Sequence, residues 1–291
     1  MAIRGHHRSK SWDHRSVERH SPDHRSTPEV LRRSQNVEEQ LGELRQEHDH
    51  LRRALFEAAQ VQRKLCGTRH LLRRPYEIAS EIFPVHHVSG DFVIVQEIGT
   101  ELVLAIGDIC GKGLAAGMWF AHVVGTVRMH AAAKSDPAAA MSVVNDALLR
   151  SYMDMPFTSL LLCRLSLTTG EIKYCNAGHP PGLLLDEQGS VEMLTEGGPL
   201  LAAVGGASYK SGRTKLKPGA TMLGFSDGVI ECGVQTGDEF GVHRVLQSTR
   251  NAAGSAAGTL FSLLGAVEDF AGNRQREDDL ALLVVHRDSN A

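Results

Sequence analysis

Between Val37 and Leu65, apolar residues recur in alternating steps of four and three. This spacing places one apolar stripe along a helix and is typical of coiled coils. Two polar residues, His48 and Gln62, interrupt the stripe, so an ordinary amphipathic helix packed on its own domain also fits. The positions of the stripe are Val37, Leu41, Leu44, His48, Leu51, Leu55, Ala58, Gln62 and Leu65.

From about Tyr76 onward, short alternating or β-branched runs separated by turn residues replace this periodicity. Such runs predict strands, and two runs on either side of a short turn predict a hairpin. Antiparallel sheet is therefore expected. The predicted hairpins join Phe92 to Ile98 with Glu101 to Ile106 across Gly99-Thr100, and Ser159 to Leu167 with Glu171 to Cys175 across residues 168–170.

Two predicted helices, residues 114–133 and 137–153, lie between the hairpins and are rich in Ala, Leu, Val and Met. Ser135-Asp136-Pro137 is a typical helix start with proline in the first turn. Helices inserted between hairpins indicate an α+β or layered αββα arrangement. Later in the chain we predict buried strands at Ala220 to Phe225 and Leu280 to Val285, with a helix from about Ala256 to Ala271 between them.

Composition divides the chain of 291 residues into three segments. Residues 1–28 are rich in Arg, His, Ser and Asp and cannot bury enough apolar surface to compensate for ordering, so we expect disorder there. Residues 29–75 are predicted to form the helical linker. Residues 76–291 are long enough for one sizeable globular domain.

The overall charge excludes some classes of function. A formal net charge of -3 and a pI near 6.6 provide no basic field that would draw the chain onto nucleic acid. No apolar run approaches the roughly 18 residues of a membrane span, and the first residues lack the apolar stretch of a signal peptide. We therefore expect a cytoplasmic protein, with its five scattered cysteines as reduced thiols.

Carboxylates fall at the ends of four predicted strands. Asp91 opens one strand of the first hairpin and Asp108 follows the other, so both lie at the same end of that hairpin. Asp227 follows a later apolar run, and Asp278-Asp279 precedes the last one. One Asp beside Gly is more often a turn residue, and the prediction depends on all four strand ends together. Converging carboxylates need a counter-charge, and oxygen-rich sites suit Mg²⁺ or Mn²⁺.

The motifs that carry these residues closely resemble the SpoIIE/RsbU branch of the metal-dependent PPM serine/threonine phosphatases. The likeness covers about Tyr76 to Arg287. Its motifs, in order, are Ser89-Gly90-Asp91-Phe92, Gly107-Asp108-x-x-Gly111-Lys112-Gly113, Asn176-Ala177-Gly178-His179-Pro180-Pro181, Ser226-Asp227-Gly228, Phe240-Gly241-x-x-Arg244-Val245 and Asp278-Asp279-Leu280-Ala281.

The resemblance implies an αββα sandwich of two antiparallel sheets flanked by helices, holding two Mn²⁺ or Mg²⁺ ions. It also implies hydrolysis of phosphoserine or phosphothreonine on a regulatory protein, such as a STAS-type anti-sigma factor antagonist. The alternative is a catalytically inactive scaffold that signals through its coiled coil. The implied metal ligands are the carboxylates of Asp91, Asp108, Asp227 and Asp278, the backbone carbonyl of Ile109, and Asp279 as a neighbour.

The general acid is unassigned. Related type 2C enzymes carry a histidine just after the aspartate of the second motif, whereas Ile109 and Cys110 follow Asp108 here. The catalytic residues would be the carboxylates of Asp91 and Asp108, with a protonated Lys112 or a metal-bound water as the candidate acid. Lys112 is explained equally well as a lysine at a helix start. His179 invites an acid or base role, although a turn-stabilising histidine fits its surroundings better.

The spacing of motif residues excludes a nucleotide-binding P-loop and a thiol phosphatase loop. A nucleotide-binding P-loop needs four residues between its glycines and Ser or Thr after the lysine, whereas Gly107 to Gly113 has three and ends in Gly. A thiol phosphatase needs an arginine six positions after its cysteine, and neither Cys66 nor Cys110 has one.

The apolar stripe also predicts a partner. Leucines left in water would forfeit about 1.5–3 kcal/mol each, and a second copy of the chain is the simplest cover. We therefore expect a homodimer through residues 37–65, in which the linker regulates the site.

Overall fold

The computed structural model describes residues 28–66, 69–85, 87–111, 113–151, 155–234, 237–252, 254–274 and 276–289, without the side chains of 28–31 and 34. Apart from Pro28, the tail predicted to be disordered lies outside these residues. Within these ranges, none of the helices combines the length and apolar character required to cross a bilayer.

Six helices and twelve strands make up the described part of the chain. The helices are α1 (Pro28–Cys66), α2 (Leu114–Ala133), α3 (Pro137–Arg150), α4 (Asp227–Ile230), α5 (Gly241–Arg250) and α6 (Ala256–Ala271). The strands are β1 (His70–Arg73), β2 (Tyr76–Phe83), β3 (Asp91–Ile98), β4 (Glu101–Ile109), β5 (Thr158–Ser166), β6 (Glu171–Ala177), β7 (Gly182–Leu185), β8 (Val191–Leu194), β9 (Gly197–Gly198), β10 (Gly212–Lys215), β11 (Thr221–Phe225) and β12 (Leu280–Arg287).

These strands form two sheets. The first sheet has the order β10-β6-β5-β4-β3, with the short β9 also paired to β6, and the second has the order β1-β2-β12-β11-β7-β8. Pairing is antiparallel throughout except between β6 and β9. The predicted antiparallel sheets are confirmed, and both predicted hairpins are present.

Three apolar clusters arrange the sheets and helices in layers. Side chains of α2 and α3 pack on one face of the first sheet, around Phe92 and Met141. A second cluster, with Leu104 and Leu283 among its members, fills the space between the sheets. The third packs α5 and α6 on the outer face of the second sheet, around Phe225. This layering is the predicted αββα sandwich.

Local sequence explains where the helices begin. Asp136 caps α3 by accepting a hydrogen bond from the backbone N–H of Ala139 at 3.1 Å, and Pro137 follows as the first helical residue. Ser255 caps α6 in the same way. The carboxylate of Glu77 on β2 accepts two more backbone N–H groups at the start of α6, which fixes that helix on the second sheet.

Two parts of the predicted organisation differ from the structure. Residues 70–73, assigned to the helical linker, form β1, because the chain turns back at Arg74-Pro75 and pairs with β2. Helix α3 ends at Arg150, before the predicted end at residue 153, and residues 152–154 lie outside the described ranges.

The predicted stripe on α1 changes character along its length. Val37, Leu44 and Leu51 are each more than half exposed. Near the end of the helix, Gln62 is buried and Leu65 packs on the cluster beneath α2. The last turns of the linker helix therefore belong to the globular domain, as the amphipathic-helix alternative requires.

Candidate metal centre

The first hairpin brings two carboxylates together. Asp91 begins β3 and Asp108 lies near the end of β4, and the strand register pairs them directly, which sets their Cα atoms about 4.5–5.5 Å apart. The two side chains lie within hydrogen-bond reach of each other. The turn at Gly99 thus produces the pairing that the sequence predicted.

The second sheet contributes the other carboxylates at the same end of the sandwich. Asp227 lies two residues after the end of β11 and begins α4, while Asp278 and Asp279 precede β12, the antiparallel neighbour of β11. Negative charges on all three act on Asp108. All the acidic residues predicted for the site therefore lie close enough to interact electrostatically.

Burial and the proximity of these carboxylates shift the pKa values of Asp91 and Asp108. Asp91 is 1% exposed, and burial raises its pKa well above the usual range, with the charge of Asp108 as the next cause. Burial, followed by the charges of Asp227 and Asp278, raises the pKa of Asp108 to about 7. Such shifts are expected where like charges share a buried site without a counter-charge.

Asp279 has a different task from the other acidic residues. Its Oδ1 accepts the backbone N–H of Val85 at 2.8 Å, and its Oδ2 accepts the hydroxyl of Ser89 at 2.8 Å and the N–H of Gly90 at 3.0 Å. The hydroxyl oxygen of Ser89 in turn accepts the N–H of Asp91 at 3.0 Å. This geometry favours Asp279 as the residue that positions the Asp91 loop.

Ser226 is a second connection from the second sheet to Asp91. Its hydroxyl oxygen accepts the backbone N–H of Ala281 at 2.9 Å, and its side chain hydrogen-bonds the carboxyl group of Asp91, which opposes the rise in that pKa. Ser89 and Ser226 both belong to the motifs described above, but no role was predicted for either residue. Their position directly before an acidic motif residue, or one residue removed from it, was the available signal.

The oxygen atoms of the site fit a hard divalent cation. A Cβ atom added at Gly90 would lie 2.9 Å from the carbonyl oxygen of Ile109, 3.0 Å from Oδ1 of Asp108 and 3.5 Å from the carbonyl oxygen of Gly111. Oxygens of two predicted ligands thus face one small space, and the buried Oδ2 of Asp91 has no hydrogen-bond partner. Among the described residues, no three acidic, His or Cys side chains form a complete cage, so the full ligand set stays a prediction.

Most of the globular domain matches a known protein family. The family model described as stage II sporulation protein E (SpoIIE) matches residues 99–288, well over half of the chain. This chain belongs to the SpoIIE family. Its α+β sandwich is the fold of the PPM-type, RsbU-like phosphatases.

Two curated relatives of this SpoIIE-family chain are informative. Protein IcfG of Synechocystis sp. is 24% identical over 242 residues, covering 73% of this chain and 38% of IcfG. Phosphoserine phosphatase RsbU of Bacillus subtilis is 23% identical over 234 residues, covering 79% of this chain and 69% of RsbU. The chain therefore spans little more than a third of IcfG but over two thirds of RsbU.

Solved structures show the same fold. The SiaA-PP2C domain of Pseudomonas aeruginosa matches with a TM-score of 0.69 at 18% identity, covering 83% of this chain and 99% of that domain. The catalytic domain of the phosphatase PstP, solved in complex with two manganese ions, matches with a TM-score of 0.53 at 15% identity, covering 73% and 98%.

The structure bears on one of the two side chains considered for the unassigned general acid of this SpoIIE-family site. Lys112 lies outside the described residues. His179 is buried, and burial lowers its pKa to about 3, so the imidazole is neutral and carries no proton to donate as a cationic acid. Cys110, which was not a candidate for the acid, is largely exposed; partial burial and the charges of Asp108 and Asp227 raise the pKa of its thiol.

The raised pKa of Asp108 predicts how the metal-free protein responds to pH. Because the folded-state pKa of about 7 lies above the ordinary value of 3.8, its contribution to stability is complete below that ordinary value. The contribution is lost as the pH rises through about 7. Melting temperatures in EDTA should therefore fall between about pH 5 and about pH 8, and Mn²⁺ should restore them at the upper end. A melting temperature that rises steadily over this range would contradict the crowding of charge.

Proposed function

We propose that this chain is a metal-dependent protein phosphatase that hydrolyses phosphoserine or phosphothreonine on a regulatory protein. The observation that carries the proposal is the group of carboxylates at one end of the sandwich, in which the pKa values of Asp91 and Asp108 are raised and oxygens of Asp108 and Ile109 surround the space beside Gly90. Membership of the SpoIIE family and the likeness to the phosphoserine phosphatase RsbU support the reaction class.

In this proposal Asp91, Asp108, Asp227 and Asp278 hold two Mn²⁺ or Mg²⁺ ions, with the carbonyl of Ile109 as a further ligand. When bound, such ions supply Lewis acidity for the phosphoryl group and activation of water. From the second sheet, Asp279 and Ser226 keep Asp91 and the loop before it in place. The manganese ions of PstP are consistent with this donor set.

The proposed substrate is a phosphorylated regulatory protein of the STAS-type anti-sigma antagonist class, as the likeness to RsbU suggests. The competing proposal, an inactive scaffold, does not account for the crowding of charge at the site. A scaffold without metal would be stabilised by losing these repulsions, since buried like charges cost free energy unless they are compensated.

The decisive test measures hydrolysis of p-nitrophenyl phosphate by the purified chain with Mn²⁺, with Mg²⁺ and with EDTA. Turnover should require the divalent ion, and a phosphoserine protein should be dephosphorylated at least about tenfold faster than a phosphotyrosine peptide. Equal turnover in EDTA would contradict the metal mechanism, and a preference for phosphotyrosine would contradict the substrate class. Absence of turnover with every ion and substrate would favour the scaffold.

We further propose that α1 is a dimerising regulatory linker, with the homodimer formed through residues 37–65. Its end is bonded to the site loop, because Nε2 of Gln62 donates to the carbonyl oxygens of Ser89 at 3.2 Å and Gly117 at 3.3 Å. The amide oxygen of Gln62 also accepts the N–H of Ser89 at 3.1 Å. Ser89 lies two residues before Asp91, so a shift of the helix would reach the first carboxylate.

The double substitution Leu44→Asp with Leu51→Asp should convert a dimer into a monomer and change the Mn²⁺ concentration for half-maximal activity. Charged residues on the exposed stripe cannot be buried against a second copy. Sedimentation velocity gives the mass, and titration of activity with Mn²⁺ gives the second quantity. The matched control is Gln46→Asp with Gln60→Asp, which adds the same charge at exposed positions off the stripe. A monomeric wild type would remove the linker from the mechanism, as would a monomeric variant with an unchanged Mn²⁺ response.

A further inference from the structure

The connection from β6 to β7 carries the chain from the first sheet to the second at the end where the acidic residues lie. Asn176 fixes this crossover, since its Oδ1 accepts the N–H of His179 at 2.8 Å and its Nδ2 donates to the carbonyl of His179 at 2.9 Å. Gly178 provides the positive φ of 67° that the turn requires. The backbone of His179 is therefore held in one place, with its imidazole directed into the protein.

The imidazole of His179 is 4% exposed. Its Nδ1 is 2.7 Å from the hydroxyl of Ser159 on β5, and Ser159 is the direct register partner of Asp108. The backbone carbonyl of Phe225, two residues before Asp227, acts on the ring and opposes the lowering of its pKa. Nε2 itself is buried without a direct hydrogen-bond partner.

The contact of His179 with β5 adds to the contacts that Asp279 and Ser226 make on the β3 side of the acidic group. Asp279 and Ser226 join the second sheet to the β3 side of the acidic group, through the Asp91 loop and Asp91 itself. Asp108 lies on β4, which has β3 on one side and β5 on the other. His179 meets β5 at the residue beside Asp108, and so supports that strand from the other side.

We propose that His179 is a positioning residue of the metal centre: together with Ser159 it ties the Asp108 end of β4 and β5 to the crossover that leads from the first sheet into the second. The inference rests on the proposed function, because its effect is on how well the carboxylates hold a divalent ion. His179 touches neither the ion nor the substrate in this role. A neutral, buried imidazole is suited to it, since it bonds a hydroxyl without adding charge to an acidic site.

The test is isothermal titration of Mn²⁺ into the purified full chain and three variants. His179→Leu keeps the approximate volume but removes the bond to Ser159, and should raise the Kd for Mn²⁺ about 10-fold to 100-fold, the range for outer groups of metal sites. Ser159→Ala removes the partner and should raise it at least about threefold. His179→Asn carries an amide near the position of Nδ1, and should stay within about threefold of the wild type.

A matched control separates this role from general packing. His286 is also buried and bonds a hydroxyl, with its Nδ1 2.9 Å from Oγ1 of Thr221, at the opposite end of β11. His286→Leu should lower the melting temperature while the Kd for Mn²⁺ stays within about twofold of wild type, because that end of the strand carries none of the acidic group.

The possible results are distinct. Unchanged Mn²⁺ binding by Ser159→Ala and His179→Leu would overturn the inference, and so would an equal weakening by His286→Leu. If His179→Leu does not fold, Ser159→Ala and His179→Asn decide the matter. A wild type that binds no Mn²⁺ overturns the proposed function and the inference together, whereas a wild type that binds and hydrolyses beside unaffected variants overturns the inference alone.

Discussion

Asp108→Asn should abolish phosphatase activity and, in the same protein, raise the thermal stability of the metal-free form. The substitution removes a proposed ligand, and we expect Mn²⁺-dependent turnover to fall at least about 100-fold. It also removes a half-buried charge on which Asp227 and Asp278 act unfavourably, while an amide can keep the hydrogen bond to Asp91. At pH 8 in EDTA the melting temperature should rise by about 2–4 °C, the shift that about 1 kcal/mol produces in a domain of this size.

The control for this prediction is Asp269→Asn on the exposed face of α6. It removes the same charge from an exposed position outside the acidic group and should change neither quantity measurably. Retained Mn²⁺-dependent turnover in Asp108→Asn would remove that carboxylate from the site. A lower melting temperature in EDTA would show instead that the carboxylate stabilises the metal-free fold.

Gly228→Ala should be nearly as damaging as the loss of a ligand. A Cβ atom at this position would lie 1.9 Å from the carbonyl oxygen of Asp279 and 3.4 Å from the Cβ of Asp278. Either the start of α4 with Asp227 or the segment before β12 must move, and a displacement of about 1 Å at a reacting centre costs about 100-fold in rate. We expect such a loss in turnover, together with a loss of about 1–3 kcal/mol in stability from overpacking.

The comparison for Gly228→Ala is Gly205→Ala, where an added Cβ atom meets nothing within 4 Å. Activity and melting temperature of that variant should match the wild type, as read by p-nitrophenyl phosphate turnover and differential scanning calorimetry. A Gly228→Ala protein with wild-type turnover would mean that the close contact between the start of α4 and the segment before β12 does not set the positions of the carboxylates.

The sequence predicts the first sheet far better than the second. Strands β3 and β4 are long and pair across a two-residue turn, so local pattern and turn chemistry agree on them. The same reasoning missed β7 and β8, which have four residues each. Short strands depend on their neighbours for stability, and a local pattern does not contain that information.

For the site, the sequence predicts which residues belong to it but not all of their tasks. The pairing of Asp91 with Asp108 follows from one hairpin and was foreseeable. The bond from Asp279 to Gly90 joins residues 189 positions apart, and no local pattern encodes it. In the sequence, Gln62 only interrupts the apolar stripe. In the structure, its buried amide connects the helix to Ser89.

The pairing of β2 with β12 has a consequence for the order in which this protein folds. These two strands lie side by side in the second sheet although nearly the whole domain separates them along the chain. During synthesis, β2 leaves the ribosome early and has to wait for β12 with one edge open, and such non-local pairings form slowly. The acidic group closes only when this late strand arrives, since Asp278 and Asp279 immediately precede it. A growing chain therefore assembles its candidate metal site in one late step, after the first sheet has had time to fold.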